Sequence, residues 1–273
     1  MTPLFSEEGT ASLNAFLQPG TLCVFDFDGT LAPIVALPEH AHLPETVRAR
    51  LLLLQQLAPV AILTGRALAD IRTRLDFKAD FVIGNHGLEG LPDSASRRGY
   101  FEALCDGWRD VLRNAFSDAS RFDAAIALED KQISLSVHYR QAADRSATEA
   151  ALQALFAILT PAPRMISGKC VFNLLPQAAG DKGTAFEQLM VLSGASRAIY
   201  VGDDMTDEDV FSLRRPDLLS IRVAQAPDSA AQFYLRRYND IVRLLDHVID
   251  RLQLAATPAG ALPAVRTQQH EKE

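Results

Sequence analysis

The chain has 273 residues, of which 48% are hydrophobic and 22% charged, as expected for a globular protein with one large or two modest domains. A formal net charge of −7 argues against general nucleic-acid binding, because no basic excess is available to neutralise phosphates. The three cysteines have no disulfide or metal spacing, no run is long and apolar enough to span a bilayer, and the N-terminus lacks a signal-peptide pattern. We therefore expect a cytoplasmic protein with reduced core cysteines and no membrane partner.

The first predicted element is an apolar strand, Leu22–Phe25, which is followed by two aspartates. Side chains alternate along a strand, so Asp26 and Asp28 leave on the same side, and Gly29 allows the chain to turn. Two carboxylates held close together in a buried position repel each other. A hard dication with oxygen ligands would offset this repulsion, whereas an acidic turn without function is the simpler interpretation of Asp-x-Asp alone.

Strands and helices then alternate along the chain. The patterns predict a helix at 45–57, a strand at Val60–Leu63, a helix at 67–75 and a strand at Phe81–Ile83. This alternation is typical of a mainly parallel sheet.

The pattern changes in the middle of the chain. Helices are predicted at 100–116 and 147–159, hairpin strands at 124–128 and 133–139, and a further strand at 170–175. Residues 133–139 alternate between apolar and polar side chains, which indicates a sheet with one wet face. We therefore predict an α+β module inserted into the first domain.

The parallel pattern returns with a helix that starts near Lys182. Strands at 198–201 and Leu218–Val223 follow, then a helix at 240–254, while Thr206 and Asp209 have the spacing of a capping box. The predicted domains are a discontinuous α/β core at 1–100 and 175–254, an insert at 101–174, and a disordered tail at 255–273.

Several core strands end in polar groups. Asp26 and Asp28, Thr64, and Asp203 with Asp204 each follow a strand, and Lys182 begins a helix. Sites in open α/β sheets form beyond the carboxyl ends of strands, so these groups are expected to converge. Each has a simpler interpretation by itself: Thr64 as a helix N-cap, Lys182 as a surface lysine, and the Asp pair as an acidic helix start.

The motif DFDGTL at 26–31 resembles the first motif of the haloacid-dehalogenase-like (HAD) hydrolases, and Thr64, Lys182 and Asp203 resemble the other three in order. The resemblance implies a Rossmann-like parallel-sheet core with an inserted α+β (C2-type) cap domain. It also implies that Asp26 is the nucleophile that forms an aspartyl-phosphate and that Asp28 is the acid/base.

The same resemblance implies that Thr64 and Lys182 hold the transferring phosphoryl group. It further implies a magnesium ion (Mg²⁺) held by Asp26, the backbone carbonyl of Asp28, and Asp203. Asp204 and Asp207 would act through water or hold Lys182 in place.

Finer motifs resemble the trehalose-6-phosphate phosphatase family over residues 20–250. They are GNHGLE at 84–89, EDK at 129–131 with SVHYR at 136–140, GKCVF at 168–172, and GDDMTDED at 202–209. The resemblance implies hydrolysis of trehalose 6-phosphate, with Glu129 and Lys131 on sugar hydroxyls. Other residues implied at the substrate site are Gly29, Arg66, Asn85, His86, Lys169 and Asn173. Asn173 stands where the family usually has Glu, so one sugar contact lacks a charge.

Two alternatives stay open at this stage. One is a phosphatase for another sugar phosphate, such as sucrose 6-phosphate, because the core motifs are shared. The other is a non-catalytic sugar-phosphate sensor, against which the joint presence of Asp26, Asp28, Lys182 and Asp203 argues. We expect a monomer that acts on a small molecule.

Overall fold

The computed structural model describes residues 1–35, 37–92 and 94–256. Its larger sheet has seven strands, all parallel. Their order across the sheet is β1 (Thr2–Pro3), β11 (Phe233–Leu235), β10 (Leu218–Val223), β9 (Ala198–Gly202), β2 (Leu22–Phe25), β3 (Val60–Leu63) and β4 (Phe81–Ile83).

Helices cover both faces of this sheet. One face packs against α1 (Glu7–Phe16), α2 (Glu45–Leu54), α3 (Leu68–Arg74) and α8 (Asp240–Ala256), and the other against α6 (Lys182–Ser193) and α7 (Glu208–Phe211). The central strands β2, β3 and β9 are buried along their whole length, which explains their continuous apolar runs. The predicted α/β class with a parallel sheet is therefore confirmed.

A second sheet has four antiparallel strands in the order β5 (Ala127–Asp130), β6 (Leu135–His138), β8 (Val171–Leu175) and β7 (Arg164–Gly168). Helices α4 (Ser94–Phe116) and α5 (Arg145–Phe156) pack on one face around Trp108, Leu152 and Phe172. We call the four strands and these two helices the small module. The division of the chain into domains stays a prediction, and its boundary at residue 100 lies inside α4.

Several predicted bounds are wrong. The first hairpin strand begins three residues later and ends two residues later than predicted, so Glu129 and Asp130 belong to β5 and the turn begins at Lys131. The second strand is shorter than predicted and spans Leu135–His138. The helix predicted at 100–116 starts at Ser94, and the one at 147–159 ends at Phe156. The helix predicted at 45–57 ends at Leu54, and strand 170–175 starts at Val171.

Other elements lie outside the predicted pattern. Strand β7 was missed because prolines precede it and its burial is only partial, as expected for an edge strand. The short β1 and β11 and helix α1 were also missed. Helix α8 extends through Ala256, so the first two residues of the predicted tail are helical, and 257–273 lie outside the described residues.

The capping box occurs two residues earlier than predicted. The side chain of Asp204 accepts from the backbone of Asp207, and that of Asp207 from the backbone of Asp204, at the start of a 3₁₀ turn, Met205–Asp207. The predicted pair Thr206 and Asp209 does not form it. Cys23 and Cys105 are buried free thiols, whereas Cys170 is free and only half-buried. Within the described residues, none of the helices has the length and hydropathy needed to cross a membrane.

Candidate active site

The polar strand ends converge because their strands are neighbours. Strand β2 lies between β9 and β3, with Phe25 paired to Val201 on one side and Ile62 on the other. The next residues of all three strands therefore emerge at one edge of the sheet. The structure brings Asp26, Thr64 and Asp203 together there, as the sequence predicted.

A buried hydrogen-bond network surrounds Asp26. Lys182 Nζ donates to Asp26 Oδ1 at 2.8 Å and to Asp207 Oδ1 at 2.7 Å. Burial lowers the pKa of Lys182, but the adjacent Asp207 and Asp26 outweigh burial and raise it above its ordinary value, so the ammonium is charged. Burial raises the pKa of Asp26 well above its ordinary value, against the opposing effect of Lys182. Lys182 is therefore the built-in counter-charge of Asp26.

Asp207 is saturated with donors. Its Oδ1 accepts from Lys182 and from the Tyr200 hydroxyl at 2.6 Å, and its Oδ2 accepts from the backbone N–H groups of Asp203 and Asp204 at 2.8 and 2.9 Å. Sequence reasoning missed Tyr200, although it is the polar side chain of an otherwise apolar strand β9. Four donors leave Asp207 a supporting role.

The carboxylates of Asp26, Asp203 and Asp207 offer oxygens within 4.8 Å of one another, so this buried cluster can hold a metal ion. Since Asp207 is saturated, Asp26 and Asp203 are the carboxylates that remain for coordination. Asp203 Oδ1 is buried without a hydrogen-bond partner among the described residues. Burial, followed by Asp207 and Asp204, raises the pKa of Asp203 to about 7. An oxygen-only donor set with an unpaired buried carboxylate fits a hard dication.

Gly29 is required for this arrangement. Its φ is +86°, and a Cβ there would lie 2.2 Å from Asp203 Oδ2. A side chain at position 29 would therefore strain the backbone and collide with the proposed ligand.

The Asp28 carboxylate is held by Arg66 through two parallel bonds. Arg66 Nε donates to Asp28 Oδ2 at 2.6 Å and Nη2 donates to Oδ1 at 2.7 Å. The guanidinium also donates to Asp70 Oδ2 and to the carbonyl of Pro38, each at 2.8 Å. The structure therefore places Arg66 at the cavity wall as the partner of Asp28, a pairing that the sequence did not indicate.

Thr64 and His86 pack together at the end of β3. Thr64 Oγ1 accepts from the backbone N–H of Arg66 at 3.2 Å, and the backbone N–H of His86 donates to the Thr64 carbonyl at 3.0 Å. The His86 ring lies against Gly65, where a Cβ would come within 2.5 Å of it. Burial, followed by Lys131 and Lys182, lowers the pKa of His86 well below its ordinary value, so the ring is neutral.

The β5–β6 hairpin of the small module lies on this edge of the larger sheet. Lys131 Nζ donates to the carbonyl of Gly65 at 3.1 Å, and Glu129 Oε2 contacts His138 Nε2 at 2.8 Å. Asn85, expected to line the cleft, is buried and instead contacts the hairpin turn through Ser134 Oγ and the Lys131 carbonyl. The hairpin therefore carries Glu129 and Lys131 to the mouth of the site.

A cavity of about 660 Å³ lies between the two sheets. It is lined on one side by Asp26, Asp28, Thr64, Lys182 and Asp203, and on the other by Glu129, Lys131, His138, Lys169 and Asn173. The latter set comes largely from the wet face of the small sheet, because Val137 and Phe172 point into its core. Asn173 Oδ1 accepts from Ser136 Oγ at 2.6 Å, which orients its amide.

Some cavity residues were missed by sequence reasoning. They are Ile34, Val35, Leu37, Pro38 and Glu39 on the loop after the first motif, Asp70 and Arg74 on α3, and Ala125, Leu128, Arg140 and Gln141 in the small module. Asp70 and Arg74 could have been found, since they follow Arg66 at helical spacings of four and eight. The loop residues carry no comparable signal.

The chain was compared with known proteins. A family model described as trehalose-phosphatase matches residues 24–237. An uncharacterised glycosyl hydrolase of Mycobacterium tuberculosis is 35% identical over 199 residues, which cover 70% of this chain and 15% of that protein. The trehalose-phosphate phosphatase of Mycobacterium avium is 34% identical over 197 residues, covering 70% of this chain and 50% of that protein. The chain thus spans half or less of the length of these two relatives.

Solved structures show the same fold. The C-terminal domain of the Candida albicans trehalose-6-phosphate phosphatase superposes with a TM-score of 0.72 at 19% identity, covering 92% of this chain and 98% of that one. A haloacid-dehalogenase-like hydrolase from Bacteroides thetaiotaomicron superposes with a TM-score of 0.56 at 14% identity, covering 84% and 99%. The α/β core therefore has the Rossmann-like fold of the haloacid-dehalogenase-like hydrolases.

Proposed function

The chain belongs to the trehalose-phosphatase family, and from this we propose that it hydrolyses trehalose 6-phosphate to trehalose and inorganic phosphate. One observation carries the proposal. A single cavity places the buried Asp26–Lys182 pair opposite Glu129 and Asn173 on the small sheet and Lys131 in its hairpin turn. The first pair suits phosphoryl transfer, and the second group suits a sugar rich in hydroxyls.

Asp26 is the proposed nucleophile. Lys182 bonds its Oδ1, which leaves Oδ2 to attack phosphorus and form an aspartyl-phosphate while the sugar oxygen leaves. Lys182 and Thr64 would hold the phosphoryl oxygens. The charge on Lys182 offsets the repulsion between an anionic nucleophile and an anionic substrate.

Asp28 is the proposed acid/base. It would donate a proton to the leaving sugar oxygen and then take one from the water that cleaves the aspartyl-phosphate. Both of its oxygens are bonded to Arg66. Each oxygen keeps a second lone pair that Arg66 does not occupy, so Asp28 can exchange a proton while the guanidinium stays bound.

We propose Mg²⁺ as the metal ion. Asp26, the backbone carbonyl of Asp28, and Asp203 would hold it, with Asp204 reaching it through water. When bound, the ion would neutralise negative charge between the nucleophile and the phosphoryl group. The unpaired buried Asp203 Oδ1 supports this assignment.

The small module is the proposed cap domain, spanning 101–174 between core segments 1–100 and 175–254. It would exclude water and read the leaving group through Glu129 and Lys131. Gly29, Arg66, His86, Lys169 and Asn173 stay proposed members of the substrate site. Monomeric state and cytoplasmic location likewise stay predictions from the sequence.

The test is phosphate release from a panel of sugar phosphates with Mg²⁺ present. Trehalose 6-phosphate should be hydrolysed far faster than sucrose 6-phosphate or glucose 6-phosphate, and Asp26→Asn should release no phosphate. A preference for another sugar phosphate would refute the trehalose assignment and keep the phosphatase. Absence of any hydrolysis by folded, metal-loaded protein, with tight substrate binding, would favour the sensor alternative.

A further inference from the structure

Tyr200 lies beneath the active site without a role in the chemistry described above. Its side chain is fully buried in the middle of β9. The ring packs edge-to-face against Phe186 and Phe211, with ring centroids 5.9 and 5.8 Å away. These contacts fix the ring, so the direction of the hydroxyl is also fixed.

The hydroxyl is connected to the nucleophile through two side chains. Tyr200 Oη donates to Asp207 Oδ1 at 2.6 Å, the same oxygen accepts from Lys182 Nζ at 2.7 Å, and Lys182 Nζ also donates to Asp26 Oδ1 at 2.8 Å. All four side chains are buried. Water therefore cannot replace a lost donor without a rearrangement of the packing.

The Lys182 ammonium is shared between two carboxylates. Its position between Asp207 and Asp26 depends on how much negative charge each of them presents. The hydroxyl of Tyr200 binds the very oxygen of Asp207 that faces Lys182 and reduces its pull on the ammonium. Without that hydroxyl, Lys182 would be the remaining donor on Asp207 Oδ1 and would move toward Asp207, away from Asp26.

We infer that Tyr200 is a positioning residue, which acts through Asp207 to keep Lys182 on the nucleophile and on the transferring phosphoryl group. The kinetic consequences rest on the proposed phosphatase function. Packing alone does not require the hydroxyl, because the neighbours of the ring are phenylalanines and the other β9 side chains are apolar. A buried hydroxyl in such surroundings is unfavourable unless it is hydrogen-bonded.

Tyr200→Phe removes the hydroxyl and keeps the ring. We expect kcat to fall roughly tenfold or more for both trehalose 6-phosphate and p-nitrophenyl phosphate. The shift of Lys182 would cost the charge-assisted hydrogen bond between Lys182 and Asp26, and a loss at the reacting centre acts on the transition state. KM should stay within about twofold, because Tyr200 does not line the cavity. An unchanged kcat, or a loss expressed in KM, would overturn the inference.

Tyr139→Phe is the matched control. Tyr139 is also a buried tyrosine, in the small module, and burial, followed by the nearby Glu149 carboxylate, raises the pKa of its hydroxyl. This variant should keep kcat within about twofold of the starting protein. If it lowers kcat as much as Tyr200→Phe does, the effect is a general consequence of losing a buried hydroxyl, and the inference is wrong.

A double-mutant cycle tests the path through Asp207. In an Asp207→Asn background, Tyr200→Phe should cause little further loss of kcat, because its partner carboxylate is already gone. Full additivity would mean that Tyr200 acts by another route. Para-aminophenylalanine at position 200 keeps a hydrogen-bond donor. If Tyr200→Phe impairs activity or folding, this replacement should restore the impaired property. Failure to restore it would contradict a donor role for Tyr200.

A structural readout separates this inference from the proposed function. Crystal structures of the starting protein and of Tyr200→Phe should show the Lys182 Nζ to Asp26 Oδ1 distance lengthen from 2.8 Å to beyond hydrogen-bond range, about 3.5 Å. An unchanged distance refutes the inference whatever the activity. If the starting protein hydrolyses no phosphate ester, the proposed function fails, while the distance still decides the role of Tyr200.

Discussion

Replacing Glu129 with alanine should lower hydrolysis of trehalose 6-phosphate and leave hydrolysis of p-nitrophenyl phosphate nearly unchanged. Glu129 lines the cavity on the small module and not at any strand end of the core. A small aryl phosphate has no hydroxyls for it to bind. A loss confined to the sugar substrate would therefore locate Glu129 at the sugar and not at the phosphoryl group.

The magnitude follows from the environment of the carboxylate. Hydrogen bonds to charged groups contribute roughly 1.5–3 kcal/mol, and the Glu129 side chain is 42% exposed, which favours the lower value. About 1.5 kcal/mol corresponds to roughly a tenfold decrease in kcat/KM. His138 orients Glu129 through a 2.8 Å contact, so His138→Ala should cause a smaller loss with the same substrate selectivity.

The assay compares kcat/KM for the two substrates in each variant. Asp130→Ala is the matched control, because Asp130 is the next residue on β5 but pairs with Arg109 and is not among the cavity residues. It should change neither rate by more than about twofold. Equal losses of both activities in Glu129→Ala would refute sugar recognition by this residue and remove the main structural support for a disaccharide substrate.

Three further outcomes are expected. Asp26→Asn should abolish turnover with an unchanged circular dichroism spectrum, because an amide cannot act as the nucleophile; residual activity near that of the starting protein would exclude the mechanism. Chelation with EDTA should remove bound metal, as measured by elemental analysis, and should also abolish activity. Mg²⁺ should restore activity better than Ca²⁺, because Ca²⁺ takes longer bonds and more ligands. Full activity in metal-free protein would contradict the role of Asp203. Gly29→Ala should lower metal affinity and should lower the free energy of unfolding by at least about 1 kcal/mol. The reason is that Gly29 has φ +86° and that a Cβ added there would lie 2.2 Å from Asp203 Oδ2. An unchanged melting temperature and metal content would refute this packing argument.

The sequence by itself determined the class of the fold and the central groups of the site. Continuous apolar runs that end in polar residues indicate parallel strands, and parallel strands present their carboxyl ends at one edge. This physical rule is sufficient to predict that Asp26, Thr64 and Asp203 lie together. The rule applies because the residues of each segment indicate by themselves that the strand is buried and at which end its polar group lies.

Register and edge strands were less predictable. The hairpin lies later than its pattern indicated, which moves Glu129 from the turn into β5, and the edge strand β7 went unrecognised. Local patterns mark the two faces of a strand but not its exact ends, since these depend on the neighbouring strand with which it pairs. The loop with Ile34 and Leu37 forms part of the cavity wall, which could not be predicted because nothing in its own sequence specifies what it faces.

The partners within the site were decided by the tertiary structure alone. Lys182 lies 156 residues from Asp26, and Arg66 lies 38 residues from Asp28, so no local spacing could show that each pair is in contact. Asp207 differs in part, because three of its four donors, Tyr200 and the backbone of Asp203 and Asp204, lie within seven residues of it, and only Lys182 comes from another element, 25 residues away. Hydrogen bonds form within about 3 Å, and only the packed chain brings distant side chains to that distance. Residue types therefore indicate the available chemistry, while the fold decides which side chains are in contact.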